Sequence, residues 1–234
     1  MSSKKTRVSA EYIWIHDNEM YSKTRTIEIQ GLEELEVKNI SKWSFNSLGE
    51  ELTLIPINIF NCPFRGQNGI LVFCKTNNTK LLSKNKSGSY SMSQEYYIIN
   101  PNLMRPYGFL SLVNPDTGLN YVSGVGLQKC YGRKFADLHY KLCIASGIKI
   151  SSMTSSNSPS KWEYVVDSTS INDLSAHFWL SRYILHRVGE NCNVIMDINP
   201  TNLDNRYWNP TKCQLNNNGE ITEYNGECDL YNIF

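Results

Sequence analysis

The stretch WEYVVDSTSINDLSAHFWLSRYILHRV, residues 162–188, decides the fold class. Its first part, Trp162–Val166, combines aromatic and β-branched side chains and predicts a strand. Apolar residues then recur at helical spacing and predict a helix over Ile171–Val188. Ser170 and Asp173 stand three residues apart, as in a capping box at a helix start. A strand that leads directly into a long amphipathic helix indicates mixed α and β structure.

The predicted helix has one apolar face, formed by Leu174, Phe178, Leu185 and Val188. We expect this face to pack on a sheet that includes Trp162–Val166, and Gly189 marks the expected helix end. A second helix is predicted over Lys134–Ser146, followed by Gly147, and a further strand over Val194–Ile198. The final segment, 199–234, is rich in Asn and too weakly patterned to predict an element.

The N-terminal third predicts a β domain. Four short runs rich in aliphatic and aromatic residues are separated by turn residues; they are Ala10–Ile15, Thr24–Ile29, Leu52–Ile59 and Ile70–Cys74. A stretch over 77–91, full of Asn, Lys, Ser and Gly, predicts a linker, and the strand Gln94–Ile99 follows it. The predicted organisation is therefore a small β domain over 1–76, a linker over 77–91, and an α+β domain over 92–234.

Charge and cysteine usage narrow the function classes. With 23 basic and 22 acidic residues the formal net charge is +1, so no basic surface field predicts nucleic acid or a membrane as a partner. No apolar run is long enough to span a bilayer, and no apolar region follows the basic start as in a secretory signal. The seven cysteines include no CxxC pair, which predicts reduced thiols and a cytoplasmic protein.

A series of motifs runs in a fixed order along the chain: AEYIWI at 10–15, SKTRT at 22–26, IPINIF at 55–60, ILVFC at 70–74, SQEY at 93–96, GVG at 124–126, YGR at 131–133, WEY at 162–164 and RYILHRV at 182–188. As a set they resemble the eukaryotic-type glutamine synthetase family, the ATP-dependent glutamate–ammonia ligases. The resemblance implies an α+β fold with a small N-terminal β-grasp-like domain followed by a truncated glutamine-synthetase-type catalytic domain.

The resemblance also implies where metal ligands would lie. One of the family's two ion sites keeps Glu95 and Glu163, but its third glutamate falls at Ser156. In the other site a carboxylate falls at Ser93 and a histidine at Gln214. Because serine and glutamine bring no charge to a divalent ion, only a weak, residual metal pair of Glu95 and Glu163 is implied. If these two carboxylates converge, their repulsion should raise the pKa of at least one.

Two further departures concern catalysis. The family's catalytic aspartate falls at Asn46, and an amide cannot act as a base near pH 7. The sequence also ends before the family's C-terminal part, which carries arginine clamps on phosphate and glutamate. No catalytic residue is therefore assigned, and Mg²⁺ or Mn²⁺ with ATP is implied as cofactor only if the family function is retained.

Three functions follow from this resemblance. The favoured hypothesis is a catalytically inactive family member with a subunit-interaction or regulatory role. The alternative is a functional ligase subunit that makes glutamine from glutamate and ammonia, and a third is a sensor of a nucleotide or amino acid. The implied partner is a second copy of the chain or an intact glutamine synthetase in a mixed oligomer. Three or more intact carboxylates would favour the ligase, and the sequence supplies two.

Overall fold

The computed structural model describes residues 5–17, 19–30, 35–47, 50–77, 87–109, 121–200 and 210–225. Twelve strands and two α-helices lie in this part of the chain. They form two separate sheets, and the chain divides into two compact units close to residue 84. This is the mixed α+β architecture that the sequence predicts.

The first unit contains a five-stranded sheet. Its strands are β1 (Thr6–His16), β2 (Glu19–Ile29), β3 (Trp43–Ser47), β4 (Glu50–Asn61) and β5 (Gly69–Thr76). Their order is β2-β1-β5-β4-β3, with β1 and β5 parallel and the other pairs antiparallel. Alternate residues of β1 (Val8, Ala10, Tyr12 and Trp14) share one face of the strand and lie in the core of this unit. All four strands predicted here are confirmed, and β3 was missed.

The second unit contains a seven-stranded sheet and both helices. Its elements are β6 (Ser87–Asn100), β7 (Arg105–Pro106), α1 (Arg133–Ser146), β8 (Ile150–Ser155), β9 (Lys161–Ser170), α2 (Ile171–Cys192), β10 (Ile195–Asp197), β11 (Lys212–Asn217) and β12 (Glu220–Asn225). The strand order is β12-β11-β6-β9-β8, and β7 and β10 also pair with β6. Every pairing is antiparallel. The long strand β6 is therefore the centre of the sheet.

Helix α2 packs on this sheet as predicted. The Ser170 side chain caps its start by accepting a hydrogen bond from the Asp173 backbone N–H at 3.5 Å. All four residues of the predicted apolar face (Leu174, Phe178, Leu185 and Val188) are fully buried. The Phe178 ring lies 6.3 Å from the ring of Tyr164 in β9, which confirms the contact with strand Trp162–Val166.

The predicted end of α2 at Gly189 is wrong. The helix continues to Cys192, and Asn193 ends it in the left-handed conformation with φ of 53°. Gly189 serves a different purpose, because a Cβ atom there would lie 2.8 Å from the Val194 carbonyl oxygen. The glycine therefore allows the chain leaving the helix to return close to its last turn.

Two predicted irregular segments contain strands. Strand β6 begins at Ser87 with Met92 fully buried, so 87–91 of the predicted linker is strand, whereas 78–86 lies outside the described residues. The weakly patterned C-terminal segment includes the hairpin β11–β12. Its turn residues, Asn218 and Gly219, both have positive φ, which is the geometry that Asn-Gly favours in two-residue hairpins. The domain limits as a whole stay a prediction.

The cysteines largely follow the expectation of reduced thiols. Five of the six cysteines in the described residues are free: Cys62, Cys74, Cys130, Cys143 and Cys192. Cys213 departs from the expectation because it is disulfide-bonded, and pairing depends on proximity in space rather than on spacing in sequence. Within the described part of the chain, no helix combines the length and apolar character needed to cross a membrane.

Truncating the α2 face tests this packing. Phe178→Ala should lower the free energy of unfolding by about 3–5 kcal/mol, since it removes a fully buried aromatic ring. Asn191→Ala, at an exposed position of the same helix, is the matched control and should change stability by less than about 0.5 kcal/mol. Denaturant unfolding measures both. A loss below about 1 kcal/mol for Phe178→Ala would mean that this face is not core.

His139 of α1 provides a pH-dependent test of the same core. The imidazole is fully buried, its Nε2 lies 3.0 Å from the Ser181 carbonyl oxygen, and its ring contacts that of Tyr164 at 4.9 Å. Burial lowers the pKa of His139 to about 4, against the opposing effect of the Ser181 hydrogen bond. At pH values between this lowered pKa and the ordinary pKa of histidine, His139 is therefore neutral in the folded chain and protonated in the unfolded chain.

Between about pH 6.5 and pH 4 the unfolded state binds the extra proton, so stability falls as pH falls through this window. We expect wild-type protein to lose about 2–3 kcal/mol more than His139→Gln over this range. Denaturant melts of both proteins at several pH values measure the difference, and other acid-sensitive groups cancel because both proteins contain them. Parallel pH profiles for the two proteins would contradict this role for His139.

Candidate functional site

The sheet of the second unit brings the five positions predicted there onto one face. Glu95 of β6 lies directly opposite Glu163 of β9, and Ser93 of β6 lies opposite Gln214 of β11. Directly opposed residues, and residues two apart in one strand, share a sheet face. Ser156 follows β8 and donates a hydrogen bond from its Oγ to Glu95 Oε1 at 2.7 Å. We call this group of side chains the carboxylate cleft.

The opposite face of the same strands is rigidly supported. Gln94, Tyr96 and Tyr164 are fully buried there, and Arg182 of α2 donates a hydrogen bond from Nε to Gln94 Oε1 at 3.1 Å. Because packing fixes the buried face of the strand, the strand cannot easily turn about its axis, and the side chains on its other face keep their positions. The positions of Glu95 and its neighbours in the cleft are thus set by the core packing behind them.

Both carboxylate oxygens of Glu95 are occupied by hydrogen-bond donors. Oε1 accepts from Ser156, as described above. Oε2 accepts from the backbone N–H of Lys212 at 3.0 Å and from the Lys161 ammonium at 2.7 Å. The residue is only 8% exposed, so these protein groups replace the water that would otherwise solvate the charge.

Lys161 is the unexpected member of the cleft. It opens β9 two residues before Glu163, and its side chain is 2% exposed. Besides Glu95, its Nζ contacts the Pro210 carbonyl oxygen at 2.8 Å and, more distantly, the Asn157 amide oxygen at 3.5 Å. Burial lowers the pKa of Lys161, and its hydrogen bond to Glu95 acts in the opposite direction. The three N–H donors of the ammonium thus point at three oxygens.

Glu163 is the less fully compensated carboxylate. Burial raises its pKa, a hydrogen bond from the Ser93 side chain lowers it, the charge of Glu95 raises it and that of Lys161 lowers it. The expected direction for one of two converging carboxylates is therefore confirmed. The largest cause of the raised pKa of Glu163, however, is removal of the carboxylate from water rather than repulsion between the two glutamates.

The two serines at the substituted ligand positions share one arrangement. Ser156 donates to Glu95, and the Ser93 side chain hydrogen-bonds to Glu163. Each retained glutamate is thus partnered by a serine at a position where the resemblance places a metal-binding carboxylate. Gln214 points its amide elsewhere, because Nε2 donates to Glu223 of β12 at 2.9 Å.

This donor set does not fit a dedicated Mg²⁺ or Mn²⁺ site. Such ions need several oxygen ligands, and carboxylates supply the charge that offsets their dehydration. The cleft offers two carboxylates, one of them already paired with a buried ammonium. Among the described residues, no group of three or more His, Cys, Asp or Glu side chains could hold a metal ion. Weak residual binding at Glu95 and Glu163 stays a prediction.

Asn46 and Lys161 are the two remaining positions of interest. Asn46 lies in the first unit, exposed on strand β3 and opposite Glu51. Lys161 was missed, although one signal was available. It stands two residues before Glu163 and directly precedes the predicted strand Trp162–Val166, so the period of two would place both side chains on the same face if the strand began one residue earlier.

Comparison with known proteins identifies relatives over most of the chain, although no family model matches it. It is 32% identical over 238 residues to the chloroplastic glutamine synthetase of Brassica napus, covering 90% of this chain and 55% of that protein. It is 33% identical over 233 residues to the glutamine synthetase of Canis lupus familiaris, covering 90% and 62%. The chain therefore spans little more than half the length of these curated relatives.

A solved structure shares the fold. The crystal structure of a novel glutamine synthase homolog matches with a TM-score of 0.55 and 10% identity, over 92% of this chain and 56% of that one. At this identity the likeness concerns the arrangement of strands and helices alone. It agrees with the α+β architecture implied by the sequence motifs.

The Glu95–Lys161 pair is open to direct measurement. Glu95→Gln should destabilise the chain by about 3–5 kcal/mol, since it leaves the buried ammonium without its counter-charge. The double variant Glu95→Gln with Lys161→Gln should lose less than the sum of the two single variants. Denaturant melts provide the values.

Glu223→Gln is the matched control for this cycle. It removes the partner of the neighbouring Lys212, whose Nζ lies 3.0 Å from Glu223 in an exposed pair. Exposed pairs contribute little, so the unfolding midpoint should hardly move. Additive effects of Glu95→Gln and Lys161→Gln would show that the buried pair is not energetically coupled.

Proposed function

The chain belongs to the glutamine synthetase family, and we propose from this premise that it is a catalytically inactive member with a subunit-interaction or regulatory role. One observation carries the proposal. The carboxylate cleft is satisfied by the chain's own donors, with Lys161 and Ser156 on Glu95 and Ser93 on Glu163. A cleft built this way is an internal polar network rather than a site prepared for a highly charged substrate.

The family's reaction explains why this matters. A ligase that makes glutamine from glutamate and ammonia with ATP must first transfer a phosphoryl group to the glutamate side chain. Catalysis of phosphoryl transfer depends almost entirely on positioning and on neutralising the developing negative charge. Here Glu95 is neutralised by an internal lysine, Glu163 is a partly buried carboxylate with a raised pKa, and the three substituted positions carry neutral hydroxyl or amide groups. Of the two lysines described at the cleft, Lys161 pairs with Glu95 and Lys212 pairs with Glu223, so neither is available to neutralise that charge.

The size of the expected loss supports the same conclusion. Removing one preorganised electrostatic group typically lowers turnover by about 10²–10³-fold. The substitutions at Ser93, Ser156 and Gln214 act within one cleft, so their effects are not simply additive. Even so, several losses of this kind should reduce turnover to background.

The interaction role rests on what the chain retains. Both units have intact sheets with buried cores, and the second keeps its two helices. Folds and sites change independently, so a family member can keep its architecture after its chemistry is lost. We propose that the partner is another copy of the chain or an intact glutamine synthetase, and that the protein acts in the cytoplasm.

The alternative function is a working ligase subunit. It is favoured by one specific observation, that Glu95 and Glu163 still face each other across β6 and β9. In this alternative, Mg²⁺ or Mn²⁺ and ATP would bind, and a partner subunit would supply the charged groups that the cleft lacks. Measuring both ligase activity and oligomer assembly distinguishes the inactive member from the working ligase subunit.

We expect the purified chain to form no γ-glutamyl hydroxamate from glutamate, hydroxylamine, ATP and Mg²⁺ above background. An intact glutamine synthetase assayed in parallel serves as the positive control. A rate within about tenfold of that enzyme would contradict the proposal, because it is far above what several lost electrostatic groups allow.

Assembly is measured on the same samples by size-exclusion chromatography with light scattering. We expect the chain to elute as an oligomer, either alone or after mixing with the intact enzyme. A monomer in both experiments would contradict the interaction role. A mixed oligomer whose activity exceeds that of the intact enzyme alone would support the alternative function.

A further inference from the structure

We propose that the Lys161 ammonium is the resident cation of the carboxylate cleft and excludes a divalent metal ion from it. The inference deepens the proposed function and rests on its assignment of Glu95 and Glu163 as retained ligand positions. The proposal says more than that metal ligands have been lost. The cleft holds a positive charge beside its glutamates, and this charge is a side chain of the protein rather than a metal ion.

The surroundings of the ammonium support this assignment. Its nearest oxygens come from a carboxylate (Glu95 Oε2, 2.7 Å), a main-chain carbonyl (Pro210, 2.8 Å) and, at the limit of contact, an amide (Asn157 Oδ1, 3.5 Å). These are the oxygen types that bind hard cations in proteins. The Tyr97 ring adds a further favourable contact, with its centroid 5.9 Å from Nζ.

Occupancy by a second cation would require rearrangement of this network. Glu95 Oε2 already accepts from both the Lys161 ammonium and the Lys212 backbone N–H, while Oε1 accepts from Ser156. A metal ion on Glu95 would displace at least one donor and stand close to an ammonium of like charge. Since Lys161 is almost fully buried, moving it away would also uncover its aliphatic stem. The network therefore opposes the ion by both charge and space.

Lys212 offers a natural comparison. It lies on the neighbouring strand β11, and its backbone N–H contacts the same glutamate oxygen. Its ammonium, however, is about half exposed and pairs with Glu223 at 3.0 Å instead of entering the cleft. Neutralising Lys212 removes one nearby positive charge without vacating the position that Lys161 occupies. It separates a specific effect from a general change in local charge.

The first experiment titrates the full chain with Mn²⁺ and follows free Mn²⁺ by electron paramagnetic resonance. Lys161→Gln should bind one Mn²⁺ about tenfold or more tightly than wild type, the minimum expected when a like charge leaves the site. Lys212→Gln should match wild type. Adding Glu163→Gln to Lys161→Gln should abolish the gain.

Three results would overturn the inference. Wild type could bind Mn²⁺ as tightly as Lys161→Gln in a manner that Glu163→Gln removes. Lys212→Gln could show the same gain as Lys161→Gln. Lys161→Gln, shown by circular dichroism to be folded, could show no gain at all.

A second experiment uses the unaltered chain, so it does not depend on the folding of any variant. Native protein is treated with acetic anhydride, and modified lysines are quantified by mass spectrometry. Lys161 should react roughly tenfold or more slowly than the exposed Lys212, as its burial and lowered accessibility require. Millimolar Mn²⁺ should not change this ratio. Equal reactivity, or release of Lys161 by Mn²⁺, would contradict a resident ammonium.

Neither readout depends on ligase activity, so the two proposals fail separately. An active chain with a protected Lys161 would overturn the proposed function alone. An inactive chain in which Lys161 is reactive, or in which Mn²⁺ binds beside it, would overturn this inference alone.

Discussion

The pairing of β6 with β9 sets the position of every group in the carboxylate cleft. Because side chains alternate between the two faces of a strand, a one-residue slip of β6 would send Glu95 into the core and bring Tyr96 outward. The same slip of β9 would do this to Glu163 and Trp162. The register is fixed by that core: Tyr96, Trp162 and Tyr164 are buried on the far face, where α2 covers the sheet. Apolar packing behind the sheet thus maintains the polar arrangement in front of it.

Glu95 is buried and Glu163, directly opposite, is partly buried, so both carboxylates need compensation. Water cannot supply it at 8% exposure of Glu95, and an unpaired buried carboxylate would neutralise itself by a raised pKa. The chain compensates unequally. Glu95 receives an ammonium, a hydroxyl and a backbone N–H, whereas Glu163 has the Ser93 hydrogen bond and a raised pKa. The strongest compensation therefore lies on one side of the pair.

Much of this could be predicted from local sequence. Strand and helix periods located both helices and the main strands, and the motifs located Glu95, Glu163 and the positions around them. What failed depended on three-dimensional contacts that the local residue pattern does not show. Gly189 resembles a helix end but exists for the close approach of Val194, and the β11–β12 hairpin lacks an apolar pattern although its Asn-Gly turn was visible. Lys161 was missed because a lysine is ordinarily expected at the surface.

The position of Lys161 also changes what a lost ligand means for this fold. If substitution had only removed carboxylates, the cleft would be an incomplete site that new carboxylates could restore. Instead, Lys161 and Ser156 donate to Glu95 and Ser93 donates to Glu163, so each remaining glutamate already has a partner within the chain. Introducing a carboxylate at Ser156 alone would remove a donor to Glu95 and leave Lys161 in place. Recovery of a metal site therefore requires the ammonium to leave before a third carboxylate can contribute.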